Sequence, residues 1–114
     1  MTGSRMILVG LIALVGFGGL AAADQSGDRT LLDNDRVLVM EVVFPPGFKG
    51  EEHEAPVNEL AYVLEGQFTV VTKGKGKTVV KKGQVEWAPK GAVHYSLNDT
   101  TRPARVLVVL LKER

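Results

Sequence analysis

The chain has 114 residues, room for one domain and not two. It carries 14 basic and 13 acidic residues and no cysteine, so disulfides and a lipid-bearing cysteine are excluded. A chain so close to neutral offers no global field to draw in nucleic acid.

The first segment is separable from the rest. "MTGSR" contains one arginine, "MILVGLIALVGFGGL" is apolar and uncharged, and "AAAD" places small residues at Ala21 and Ala23. A basic start, an apolar run and an A-x-A end together predict a secretory signal peptide over residues 1–23, cut after Ala23. The rival reading is an uncleaved anchor. The run from Met6 to Ala23 is short for a membrane span and is diluted by glycines. Cleavage would leave 91 residues, with 13 basic against 13 acidic once Arg5 is gone. The expected location is periplasmic or secreted, with no stable membrane anchor. A domain this small must then hold itself together by core packing or oligomerisation, with a bound metal able to add to either.

Residues 24–33 are polar and read as a flexible lead-in, with the folded domain running from 34 to 114. Beyond the lead-in no segment has a helical period. Short β-branched runs bounded by turn residues predict strands instead. These are Arg36 to Phe44, Leu60 to Glu65, "QFTVVT", "TVVK", "QVEWA", "VHYSLN" and Ala104 to Leu111. Seven or eight strands with frequent turns predict an all-β sandwich or barrel. "KGKGK" (Lys73 to Lys77) is a hairpin tip. Its lysines keep the tip soluble and guard against edge pairing, and no aromatic residue interleaves them as a nucleic-acid groove would require. Leu60 to Leu64 and "VLVVLL" are apolar on both faces, so a second layer or a partner subunit must cover the outer one. The partner expected is a second copy, giving a homodimer.

The chain has two histidines. If the strand after Gly50 stays regular, His53, Ala55 and Glu59 point to one side. Further on, His94, Ser96 and Asn98 form one polar face, opposite Val93, Tyr95 and Leu97. Glu54 faces away from the site, and Glu51 and Glu52 lie where the strand begins. Trp87 shares an apolar face with Val85 and is placed against the barrel interior, lining the pocket together with Ala55, although core packing alone would explain Trp87 equally well. Glu86 takes the other face.

Gly47, His53, Glu59 and Gly66 fit G-x5-H-x-H-x3-E-x6-G, with Ala55 in place of the second histidine. Gly83, Pro89, Gly91, His94 and Asn98 fit G-x5-P-x-G-x2-H-x3-N at every position. With both motifs in order, the chain resembles the cupin family over roughly Val37 to Leu111. The resemblance implies a single jelly-roll β-barrel. It also implies that His53, Glu59 and His94 hold one divalent metal ion of iron, manganese, nickel or zinc. Two imidazoles and one carboxylate match the ligand count of sites with open positions. The competing reading is a relic barrel, metal-free, with His94 donating to Glu59. Three functions stay open: a metal-dependent oxygenase- or isomerase-like enzyme acting on a small organic molecule, a non-catalytic binder of a small ligand, and an accessory domain. No set of catalytic residues beyond the three ligand candidates stands out, and the fold does not choose among the functions.

Overall fold

A computed structural model describes residues 27–113, and the signal-peptide segment lies outside the described residues. Nine strands follow one another: β1 (Gly27–Asp33), β2 (Val37–Phe44), β3 (His53–Glu54), β4 (Asn58–Glu65), β5 (Gln67–Thr72), β6 (Gly76–Lys81), β7 (Val85–Ala88), β8 (Val93–Leu97) and β9 (Ala104–Leu111). They form two antiparallel sheets, a five-stranded one in the order β1-β2-β9-β4-β7 and a four-stranded one in the order β3-β8-β5-β6. There is no helix among the described residues. This is the all-β, two-sheet arrangement of a jelly roll.

Period-two burial builds the core. Along β2, Leu38, Met40, Val42 and Phe44 are buried while Val37, Val39, Glu41 and Val43 are half-exposed. On β9, Ala104, Val106 and Leu110 face inward, and β4 adds Ala61 and Val63. Phe68, Val70 and Val80 close the core from the four-stranded sheet. Phe44 ties the layers together: its ring stacks on Phe48 at 5.0 Å and meets Phe68 at 5.3 Å. Aromatic pairs at this spacing add to the burial of their area.

Two elements differ from the sequence reading. The lead-in expected over 24–33 is, from Gly27 on, strand β1, paired with β2 from Gly27↔Val43 to Asp33↔Leu38. Five of its seven residues are exposed, so no burial period marks it. The regular strand expected through His53 and Glu59 is also broken. β3 belongs to the four-stranded sheet and β4 to the five-stranded one, and the chain crosses between them at Ala55–Pro56–Val57. Proline suits such a crossing because it cannot continue a ladder.

Gly66 shows what the motif glycines can do. It sits between β4 and β5 at φ +75°, and a Cβ there would lie 2.5 Å from the carbonyl oxygen of Pro103. Only a residue without a side chain fits.

One row across the outer face of the five-stranded sheet is apolar over its full width. Leu32 pairs with Val39, Val39 with Val109, Val109 with Leu60, and Leu60 with Trp87. The next row but one starts with the ion pair Arg29–Glu41 and turns apolar from Leu107 on, with Leu107 beside Tyr62 and Tyr62 beside Val85. Leu32, Tyr62, Val85 and Trp87 are among the most exposed large apolar side chains.

Candidate metal centre

Three side chains from three strands converge inside the barrel. His53 on β3 stands directly across the ladder from His94 on β8, and their rings meet edge-on at 4.8 Å. Glu59 comes from the opposite sheet, on the inward face of β4 that also carries Ala61 and Val63. One ligand atom from each of His53, Glu59 and His94 lies within 4.8 Å of the others. The crossing at Ala55–Pro56–Val57 makes this possible, because it delivers residues six apart in sequence to facing sheets.

The polar atoms of this cluster lack partners. His53 Nε2, Glu59 Oε1, His94 Nδ1 and His94 Nε2 are all buried without a hydrogen bond. Buried polar groups are rarely left so, and each one costs stability. Glu59 Oε2 lies 3.2 Å from His94 Nε2, close enough for a charge interaction but without hydrogen-bond geometry. His53 is oriented from behind. Its Nδ1 is 3.1 Å from the carbonyl oxygen of Glu51, an atom that can only accept. Nδ1 therefore carries the proton and donates it, and the Nε2 lone pair is directed into the cluster. A metal-ligating histidine is held in the same way, with its second nitrogen on a carbonyl or carboxylate. The donor set and the orphaned atoms thus fit one divalent ion held by two imidazoles and a carboxylate.

Charge is concentrated here. Burial pulls the His94 pKa down, but the carboxylates of Glu59 and Glu86 outweigh it, and the net position is above the ordinary histidine value. Burial pushes the Glu86 carboxyl up, His94 opposes this, and Glu59 reinforces it, leaving Glu86 above the ordinary carboxylate value.

The cluster lines a cavity of about 90 Å³. Glu86 and Ser96 add polar lining, and Met40, Val42, Phe44, Phe68 and Val106 supply apolar walls. The two residues expected to line the pocket do not line this one. Trp87 is 53 % exposed, on the outer face of the five-stranded sheet across from Leu60. The inward position on β7 belongs to Glu86, whose ladder partner is the small Ala61. Val85 and Trp87 look outward onto the apolar row that holds Leu60 and Val109 and the row beside it, while Glu86 reaches inward to the polar cluster. Ala55 is fully buried just past β3, its N–H donating to the Ala92 carbonyl and its carbonyl accepting from Gly91 N–H, and it is not part of the cavity wall. Glu86 is the site residue that the motif spacing passes over. Its signal in the sequence is a lone carboxylate amid "VEWA", in antiphase with the apolar residues.

Asn98, on the polar face with His94, holds the fold. Its Nδ2 donates to the carbonyls of Phe44 (2.9 Å) and Arg102 (2.8 Å), and its Oδ1 accepts from Thr100 N–H (3.0 Å) and Thr100 Oγ1 (2.8 Å).

The comparisons with known proteins agree with the fold. No curated protein sequence matches the chain. The protein TT1209 from Thermus thermophilus superposes with a TM-score of 0.70 at 25 % identity, over 80 % of this chain and 87 % of that one. The polyketide cyclase RemF from Streptomyces resistomycificus superposes with a TM-score of 0.71 at 27 % identity, over 79 % of this chain and 67 % of that one. The DMSP lyase DddQ from Ruegeria pomeroyi DSS-3 shares the fold with a TM-score of 0.72 at 21 % identity, over 83 % of this chain and about half of that one, 51 %. The family model for the cupin domain matches residues 40–110, a span that holds both motifs and every member of the cluster, and the chain belongs to the cupin family.

Proposed function

We propose that this protein is an exported, metal-dependent cupin that binds or transforms a small organic molecule inside its barrel. One observation carries the reading: the unpartnered atoms of His53, Glu59 and His94 converge in a buried cluster that lines an apolar-walled cavity. An arrangement that only held the fold together would satisfy these atoms. A divalent ion of iron, manganese, nickel or zinc on these three residues would act as a Lewis acid toward an oxygen of the bound molecule. The chain's own residues supply the rest. The Met40, Phe44 and Phe68 walls exclude water and receive the apolar part of the ligand, while Ser96 and Glu86 offer polar contacts beside the histidines. RemF and DddQ bear the names of different enzyme activities, so the reaction does not transfer with the fold.

Metal analysis of protein purified without chelator tests the reading. Near-stoichiometric metal, and a melting temperature that falls when it is removed, are expected. Metal-free protein indifferent to added iron(II), manganese, nickel and zinc would favour the second reading, a metal-free ligand-binding barrel. The 3.2 Å approach of Glu59 to His94 is the observation behind that alternative.

The apolar rows on the outside of the five-stranded sheet support a homodimer in which a second copy covers this face. Light scattering should give twice the chain mass, and Trp87→Glu should give monomer. A wild-type monomer at high concentration would contradict this. Export, with cleavage after Ala23, predicts a periplasmic or secreted mature chain that starts at Asp24 by mass spectrometry. A full-length chain retained in the membrane would overturn it.

A further inference from the structure

The cluster has a fourth polar member with no role in the motif. Glu86 reaches inward from β7 in the five-stranded sheet, opposite Ala61, whose methyl side chain leaves it room. Its carboxylate lies against the other sheet, with Oε2 3.9 Å from His94 Nδ1. Both side chains are largely buried. The two nitrogens of His94 thus face different carboxylates: Nε2 faces Glu59 and Nδ1 faces Glu86. His53 is built the same way, with Nδ1 on the Glu51 carbonyl and Nε2 toward the cluster. A neutral imidazole has one nitrogen whose lone pair is free for a metal. The group on the other nitrogen selects which one.

We propose that Glu86 is the positioning residue for His94: its carboxylate keeps the proton on Nδ1, so that the Nε2 lone pair is directed at the metal. The proposal rests on the metal reading above. It assigns Glu86 behind a ligand rather than among the ligands, because Glu86 stands at the ring nitrogen that does not face Glu59. His53 and His94 are then matched ligands. Each has an acceptor behind Nδ1, a main-chain carbonyl for His53 and a side-chain carboxylate for His94. The closure from 3.9 Å to hydrogen-bond distance is a side-chain adjustment of about 1 Å.

Two substitutions test this by two readouts. The first is the protonation of His94 Nδ1, read from imidazole nitrogen NMR on metal-free protein at mildly alkaline pH. With two histidines in the chain, the His53→Ala spectrum assigns the signals. Wild type should show Nδ1 protonated. Glu86→Leu should move the proton to Nε2, beside Glu59. Glu86→Gln keeps a carbonyl acceptor and should keep the proton on Nδ1. The second readout is zinc affinity by competition with a chelating dye. Glu86→Leu should weaken it about 10- to 100-fold, the usual cost of losing such a supporting group, and Glu86→Gln should recover most of the loss. Melting of the metal-free Glu86→Leu protein should not fall below wild type, since a buried carboxyl is removed, and this separates lost affinity from lost folding. Nδ1 unprotonated in wild type, or unchanged in Glu86→Leu, would overturn the proposal. So would Glu86→Leu with wild-type zinc affinity. A wild-type protein that binds no zinc would instead sink the metal reading, and the NMR result would still decide what Glu86 does to His94.

Discussion

Asn98 and His94 stand four residues apart in the same motif, on the same inward-facing side of the chain, and both are buried. Asn98 has a partner for each of its side-chain polar atoms. His94 has a hydrogen bond on neither nitrogen. A buried amide with every bond made locks the turn after β8 to the end of β2. A buried imidazole with no hydrogen bond on either nitrogen does not hold the fold in that way, and its neutral form carries a desolvation cost that no donor or acceptor offsets. One motif thus holds a residue that the fold satisfies and one that it leaves unsatisfied, and hydrogen-bond satisfaction tells them apart.

The largest expected effect breaks the structural side. Asn98→Leu strands the carbonyls of Phe44 and Arg102 and the groups of Thr100, and should cost about 3–5 kcal/mol in urea unfolding. A loss under about 1 kcal/mol would mean that the amide is not what holds this corner.

The functional side should respond in the opposite sense. Replacing both Glu59 and His94 by leucine removes a buried ion pair and the orphaned atoms together. Metal-free stability should stay level or rise, by up to about 4 kcal/mol, while metal binding disappears. A large loss of metal-free stability would reassign the pair to the fold.

The contrast also explains what can be read in the sequence. β5 and β9 are legible to the residue, because "QFTVVT" and "ARVLVVLL" are β-branched runs cut off by turns. β1 is not, since it pairs along the edge of β2 with most of its side chains in water. β3 is two residues long and has no period to read. The spacing of His53, Glu59 and His94 names the cluster, because each lies on an inward position of its own strand. The same rule fails at Trp87 and Glu86. "Apolar means inside" does not hold for a sheet whose outer face is apolar and whose inner end carries a polar site.

A smaller effect is on pH. The His94 pKa is raised in the folded chain, so folding takes up a proton there. The stability it contributes is fully present below the ordinary histidine value of about 6.5 and is lost as pH rises through the higher folded value. In chelator, the melting temperature should therefore decline on the alkaline side of that value. Metal displaces the proton, so metal-loaded protein should not show this decline. The weakest expected effect comes from the surface. Glu41, hydrogen-bonded to Arg105 and Arg29, has a lowered pKa. Its contribution is present above the ordinary carboxylate value and is lost as pH falls through the folded one. Arg105→Gln should flatten that acid limb slightly and leave the alkaline limb alone. Equal flattening of both limbs would contradict the separation of the two sites.

The most direct measurement is anomalous diffraction at the zinc edge from crystals soaked in zinc. One strong peak per chain is expected inside the barrel, bonded to His53 Nε2, His94 Nε2 and a Glu59 oxygen, at about 2.0–2.2 Å. Zinc only at the surface, with His94 still paired to Glu59 in an unchanged cavity, would contradict it.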